Sequence, residues 1–223
     1  MDYSDVLASS IHDIKNSLSM LLSTLDDVLG DPDTRVADQN KANVLRFETS
    51  RVNSSLVQLL ALYRMDKGEL SANIMEHNVD EFFEELVAEN QVLMDSLGIR
   101  FSYACDPDLS GYFDDNLIQG VMGSAIGNAE RYTKDQIRLS ARSEDDYLVL
   151  GVEDNGKGFP DFMLKAGEEL RRGSGSLSSG STQLGLYFAS KVARMHADKT
   201  RKGFMRLSNA SDLGGARFEL WLP

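Results

Sequence analysis

One cysteine, Cys105, in 223 residues excludes an internal disulfide framework and a cysteine-built zinc site. Positive charge is scarce: 23 Lys plus Arg stand against 35 Asp plus Glu, for a net charge of −12. Such a balance disfavours nucleic acid and anionic membrane surfaces as partners. No apolar run approaches the ~18 residues of a membrane span. The opening Met1-Asp2-Tyr3-Ser4-Asp5 has no basic region of the secretory kind. No internal repeat is seen. These absences lead to the expectation of a soluble protein of a reducing compartment, the cytoplasm, with no nucleic acid and no membrane among its partners. The apolar fraction of 42% is enough for one or two buried cores.

Two helical stripes open the chain. Leu7, Ile11, Ile14, Leu18, Leu22, Leu25 and Leu29 recur at threes and fours from Ser4, a plausible N-cap, to the stop Gly30-Asp31-Pro32. A second stripe runs through Leu45, Val52, Leu56, Leu59 and Tyr63, with Thr49 in the missing turn, and ends at Lys67-Gly68. The two predict an antiparallel hairpin. Flanking apolar residues (Val6, Leu21, Val28, Phe47, Val57, Leu60) stay uncovered, so two copies are expected to pair as a dimeric four-helix bundle. The predicted divisions are a hairpin over 1–68, a linker with one extended stretch over 69–79, and a second domain over 80–223.

In that second domain Asp80 reads as the N-cap of a helix ending at Gly98. Strands are expected at Ile99–Ala104, Ile137–Ala141, Tyr147–Val152, Phe204–Ser208 and Ala216–Leu222. Helices are expected at Asp114–Arg131 and Leu184–His196. The Gly/Ser run 173–181 reads as a mobile loop. Helices over a mostly antiparallel sheet make an α+β sandwich.

Four constellations carry chemistry. The chain has three histidines. His77 and His196 read as structural or solvated. His12, at the edge of the first stripe, has Asp13 beside it and Asn16 one turn on. A carboxylate near an imidazole holds one ring nitrogen protonated and leaves the other nucleophilic. Next, Asp154-Asn155-Gly156-Lys157-Gly158 follows a strand: the glycines admit a flat ligand, and the Asp can accept from a base's exocyclic amine. Asn128-Ala129-Glu130-Arg131-Tyr132-Thr133 ends a helix rich in small residues. There Asn128 offers an oxygen to Mg²⁺ and Arg131 can meet phosphate. Finally, Gly180-Ser181-Thr182-Gln183-Leu184-Gly185-Leu186 leads a Gly/Ser loop into a helix, with backbone N–H groups for phosphates. Each also has an ordinary reading, as surface histidine, glycine turn, tight helix or flexible loop.

Their order resembles the catalytic core of a two-component sensor histidine kinase over nearly the whole chain. The resemblance implies a dimerisation and phosphoacceptor hairpin followed by an ATP-binding domain of the gyrase-like (Bergerat) fold. It also implies Mg²⁺, a homodimer, and a separate response regulator whose receiver domain takes the phosphoryl group. His12 matches the phosphoaccepting histidine and Asp13 the acidic residue after it. Asn16 matches the position used in dephosphorylating the regulator. Asn128 matches the Mg²⁺ ligand, with Arg131 and Tyr132 beside the nucleotide. Asp154 matches the adenine-reading residue, Gly156 and Gly158 the glycines of its box, and Leu184, Gly185 and Leu186 the end of the last glycine box. The 173–181 loop would be the lid over the triphosphate.

The pattern departs at four places. The family commonly has Pro at Ser17 and Asn at Ser124. Ser181 and Gln183 replace two glycines, and no aromatic box is recognisable over 161–172. The runner-up reading is therefore a non-catalytic phosphotransfer or regulatory protein that keeps the fold. Eleven residues precede His12, about three turns at ~5.4 Å each. If Met1 is the native start, input is expected to come from a separate sensor protein.

Overall fold

The computed structural model describes residues 14, 16, 18–25, 28, 39–173 and 181–223. The chain divides into two units, Met1–Leu70 and Ser71–Pro223.

In the first unit, Ile14, Asn16, 18–25 and Val28 are helical, and α1 spans Gln39–Asp66. The rest of the predicted first helix, with its Ser4 cap and Gly30 stop, lies outside the described residues. Within one copy the predicted stripe holds in part: Thr49 is buried, and Leu18, Leu22, Leu25, Leu56 and Tyr63 are half-buried. Ile14, Leu45, Val52 and Leu59, expected to face inward, are exposed, while Leu60, expected on the uncovered flank, is buried. Two sets fall at sevens, Ile14, Leu21, Val28 and Leu45, Val52, Leu59, and all six are between 41% and 53% exposed. Residues seven apart share one helix face, so each set is a continuous apolar seam.

The second unit is a five-stranded sheet backed by helices, with a separate two-stranded pair. A five-stranded sheet runs in the order β2 (Arg100–Ala104), β4 (Gln136–Glu144), β5 (Tyr147–Asp154), β7 (Arg217–Leu222), β6 (Phe204–Ser208). Only the β2–β4 pair is parallel. A separate antiparallel pair joins β1 (Met75–Asn78) to β3 (Ser110–Phe113). The helices are α2 (Val79–Ser96), α3 (Asp115–Tyr132), α4 (Asp161–Arg172) and α5 (Ser181–Met195). Strand alternation puts Leu139, Val152, Phe218 and Leu207 in one buried row across β4, β5, β7 and β6. The next row on the opposite face is ionic. Arg138 and Arg217 flank Glu153 in register, at 3.1 Å each, and Glu153 is buried.

Several boundaries differ from expectation for local reasons. Asn78, and not Asp80, caps α2: its Oδ1 accepts from Glu81 N at 2.9 Å. The extended stretch expected in the linker is β1, which pairs with residues 32 to 38 positions downstream. His77 sits there with its ring 4.8 Å from Phe113. His196 is fully buried: Nε2 accepts from Asp114 N–H at 3.0 Å, and Nδ1 lies 2.8 Å from Val192 O. Asp114 also caps α3 through Leu117 N at 3.0 Å and accepts from Asn73 N at 2.7 Å. One aspartate thus ties the entry segment, α3 and the end of α5 together.

Strand β3 and helix α4 were not expected. Gly167 explains how α4 seats: an added Cβ would sit 3.0 Å from the Leu207 side chain. Met163, Gly167 and Leu170 are its buried positions, so a glycine takes one of three places where a sequence pattern would show an apolar residue.

Candidate functional site

A cavity of about 390 Å³ opens between α3, the start of α4 and α5, over the ends of β5 and β7. Its walls are mainly apolar, from Val121, Ala125, Val152, Leu186 and Phe218. Such a lining with few polar groups is the usual character of a small-molecule site.

Asp154, at the last position of β5, is the one carboxylate of the lining among the described residues and is buried. Its Oδ1 accepts from Gly156 N at 2.7 Å and from Ala216 N at 3.3 Å. Among the described residues no hydrogen bond takes up Oδ2. One oxygen therefore fixes the loop, and the other remains as an acceptor for a ligand. The glycines around it have a steric cause. A Cβ on Gly156 would collide with Tyr132 O, and one on Gly215 would lie 2.5 Å from both Asp154 Oδ1 and Gly156 N. Gly158 has φ +81°, in the left-handed region that disfavours side chains.

Two asparagines that the sequence reading passed over hold this region. Asn155 Oδ1 accepts from Thr133 Oγ1 at 2.8 Å and from the N–H groups of Lys134, Asp135 and Gln136 at 3.1–3.2 Å. It thereby closes the turn after α3 onto the strand end beside Asp154. Asn209 pairs with both backbone groups of Phe159. No local pattern marks either role, because the partners lie 19–22 and 50 residues away.

The predicted site residues separate into three groups. Asn128, Tyr132, Asp154, Gly158, Gly185 and Leu186 are brought together around the cavity. Arg131, Gly156 and Leu184 do not line it: Gly156 is buried beneath, Leu184 is half-buried, and Arg131 is exposed with its guanidinium 5.8 Å over the Tyr132 ring. Asn16 is helical and exposed. His12 and Asp13 lie outside the described residues, as does 174–180 of the expected lid. Close packing does not account for all the small residues of α3: at Gly123 and Gly127 an added Cβ meets nothing within 4 Å. Between Asn128 and Tyr132, burial raises the Glu130 carboxyl to about 7.

Among the described residues no group of three or more His, Cys, Asp or Glu could hold a metal ion. Asn128 and, one turn earlier, Ser124 present polar groups to the cavity. A single amide oxygen fits Mg²⁺ that arrives on phosphate oxygens and keeps several waters. No described helix is long and apolar enough to cross a membrane.

Residues 113–223 match the family described as histidine kinase-, DNA gyrase B-, and HSP90-like ATPase. The chain is 26% identical over 225 residues to the sensor protein PhoQ of Escherichia coli K12, covering 98% of this chain and 43% of PhoQ. It is 24% identical to the virulence sensor histidine kinase PhoQ of Salmonella typhimurium LT2 over the same shares. It thus spans less than half the length of these relatives. Among solved structures, the Acinetobacter baumannii histidine kinase AdeS aligns with TM-score 0.59 and 16% identity, covering 95% of this chain and 96% of AdeS. Full-length ShkA in complex with AMPPNP aligns with TM-score 0.62 and 17% identity, covering 97% of this chain and 44% of ShkA. Residues 113–223 therefore belong to the histidine kinase-, DNA gyrase B-, and HSP90-like ATPase family, and the chain is the kind of catalytic core that sensor histidine kinases carry.

Proposed function

We propose that the chain is an ATP-dependent protein-histidine kinase that phosphorylates His12 and passes the phosphoryl group to an aspartate of a separate response regulator. The observation that supports this most is the Asp154 carboxylate. It is buried at a strand end, with one oxygen engaged by its own loop and the other left for an amine, in an apolar cavity of nucleotide size. Within the proposal Asp154 accepts from the adenine amino group. Tyr132 and Gly158 border the base, Arg131 lies nearby for phosphate, and Gly185 and Leu186 open α5 toward the triphosphate. Leu184 and Gly156 support from behind. Asn128 would hold Mg²⁺, whose charge offsets that of the phosphates. His12 accepts the phosphoryl group, and Asp13 holds the imidazole with one nitrogen free to attack.

The exposed seams of Ile14, Leu21, Val28 and of Leu45, Val52, Leu59 support a homodimer through the helical unit, since a second copy would cover them. Asn16 is assigned to dephosphorylation of the regulator, where its amide would orient a water.

The test is incubation with γ-labelled ATP. Label that is acid-labile, absent in His12→Ala and retained in Asn16→Ala is the expected result. Equal labelling of wild type and His12→Ala would overturn the assignment. A wild type that takes label only from another phosphorylated protein would favour the non-catalytic phosphotransfer reading.

A further inference from the structure

Two aromatic side chains on the cavity are more than half exposed: Tyr132 at the end of α3, 55%, and Phe162 in the first turn of α4, 61%. Phe162 was not singled out by sequence. It falls outside the helix's buried positions, Met163, Gly167 and Leu170, so packing of α4 onto the sheet does not account for it. It lines the cavity together with its neighbours Phe159, Pro160 and Met163. Its place is set from behind, because Asn209 fixes Phe159 at the start of the same turn with bonds of 2.6 and 2.9 Å.

A large apolar ring exposed at the rim of a mainly apolar cavity gains most by covering a flat ligand face. Asp154 supplies direction from the floor, but a single carboxylate leaves the ring face of the ligand unspecified. We propose that Phe162 is a ligand-binding and specificity-determining residue, which covers the base of a purine nucleotide held by Asp154. This rests on the nucleotide reading above and deepens it. The recognition is of the ring and not of the phosphates. Affinity lost with Phe162 should therefore be lost only for ligands that carry a base.

The experiment compares wild type, Phe162→Ala, Phe162→Trp and Phe162→Leu by calorimetric titration with Mg-ADP and, separately, with magnesium tripolyphosphate, which has no base. Phe162→Ala is expected to raise the Kd for Mg-ADP about tenfold, equivalent to about 1.4 kcal/mol. It should leave tripolyphosphate binding unchanged. Phe162→Trp should bind Mg-ADP within twofold of wild type, and Phe162→Leu should lie between Trp and Ala. Phe162 is exposed, so its truncation removes no core packing, and retained tripolyphosphate binding with an unchanged melting temperature checks that the fold is intact. Phe162→Ala binding Mg-ADP as wild type does would overturn the proposal while leaving the nucleotide reading intact. Equal weakening for both ligands, or a changed oligomeric mass with an unchanged Kd, would also overturn it. Wild-type protein that binds no Mg-ADP would overturn the nucleotide reading, and the role of Phe162 with it.

Discussion

Asn209 grips Phe159 by both backbone groups: Oδ1 accepts the Phe159 N–H at 2.6 Å, and Nδ2 donates to its carbonyl at 2.9 Å. The loop after β6 thereby sets the start of α4. Each hydrogen bond contributes about 0.5–1.5 kcal/mol net. Asn209→Ala should therefore lower unfolding stability by about 1–3 kcal/mol. Asn209→Asp, which puts a carboxylate against the carbonyl, should cost at least as much. Urea unfolding measures both, and a variant as stable as wild type would contradict the role.

Asp154→Asn and Asp154→Ala should behave differently. The asparagine oxygen can still accept from Gly156 N and Ala216 N, so the loop should stay closed. Its Nδ2 then stands where Oδ2 was and presents a donor in place of an acceptor. ATP affinity should fall ten- to a hundredfold, the range of a hydrogen bond to a charged group. Inosine nucleotides, which present an oxygen there, should lose less. Asp154→Ala should lose the loop as well and melt several degrees lower. Titration with ATP and ITP, beside a melting curve, separates the two variants.

Two groups, the buried His196 and the half-buried Glu130, should oppose each other as pH changes. Burial lowers the His196 pKa from its ordinary 6.5. The Asp114 carboxylate is the charge facing it, and it acts in the opposite direction. Below 6.5 the unfolded chain takes the proton first, so this group's contribution to stability falls as pH falls through the folded-state pKa. Burial raises Glu130 from 4.5 to about 7. Between those values the folded chain holds the proton longer, so its contribution falls as pH rises. His196→Gln should remove the acid-side loss, and Glu130→Gln the loss toward pH 7. Unfolding free energies at pH 5, 6, 7 and 8 give the slopes, and unchanged slopes in both variants would refute the assignment.

Val52→Glu should break the homodimer if the Leu45, Val52, Leu59 seam is covered by a second copy, because an unpaired charge is costly to bury. Light scattering at micromolar concentration should give a dimer mass for wild type and a monomer mass for the variant. A wild-type monomer would refute the dimer.

How far the sequence could be read depended on the distance between interacting residues. Asp154, Gly156 and Gly158 were legible because a strand running into a carboxylate and glycines is a local pattern. Strands β4 and β5 were likewise bounded within a few residues. Strand β3 is four residues long and gains its partner from β1 across a whole helix, so its own sequence carries little signal. Helix α4 hides because Gly167 occupies an inward place. The α2 cap was misplaced by two residues because Asn78, Asp80 and Glu81 all suit a first turn, and only geometry chooses among them. Asn155 and Asn209 are silent in sequence, since what they hold lies 19–22 and 50 residues away; Asp114 shows locally as a helix start, but its tie to His196, 82 residues on, does not.

The glycines at the cavity floor also bear on how such a site can change over generations. At Gly156 a methyl group would enter the Tyr132 carbonyl, and at Gly215 it would enter Asp154 and the backbone of Gly156. Floor and carboxylate are interlocked, so a side chain at either glycine has no room. The rim is less crowded: Tyr132 and Phe162 border the same cavity while more than half exposed. Divergence among descendants of this chain should accumulate there, which makes the rim the historical record of ligand preference and the floor a record of ancestry alone.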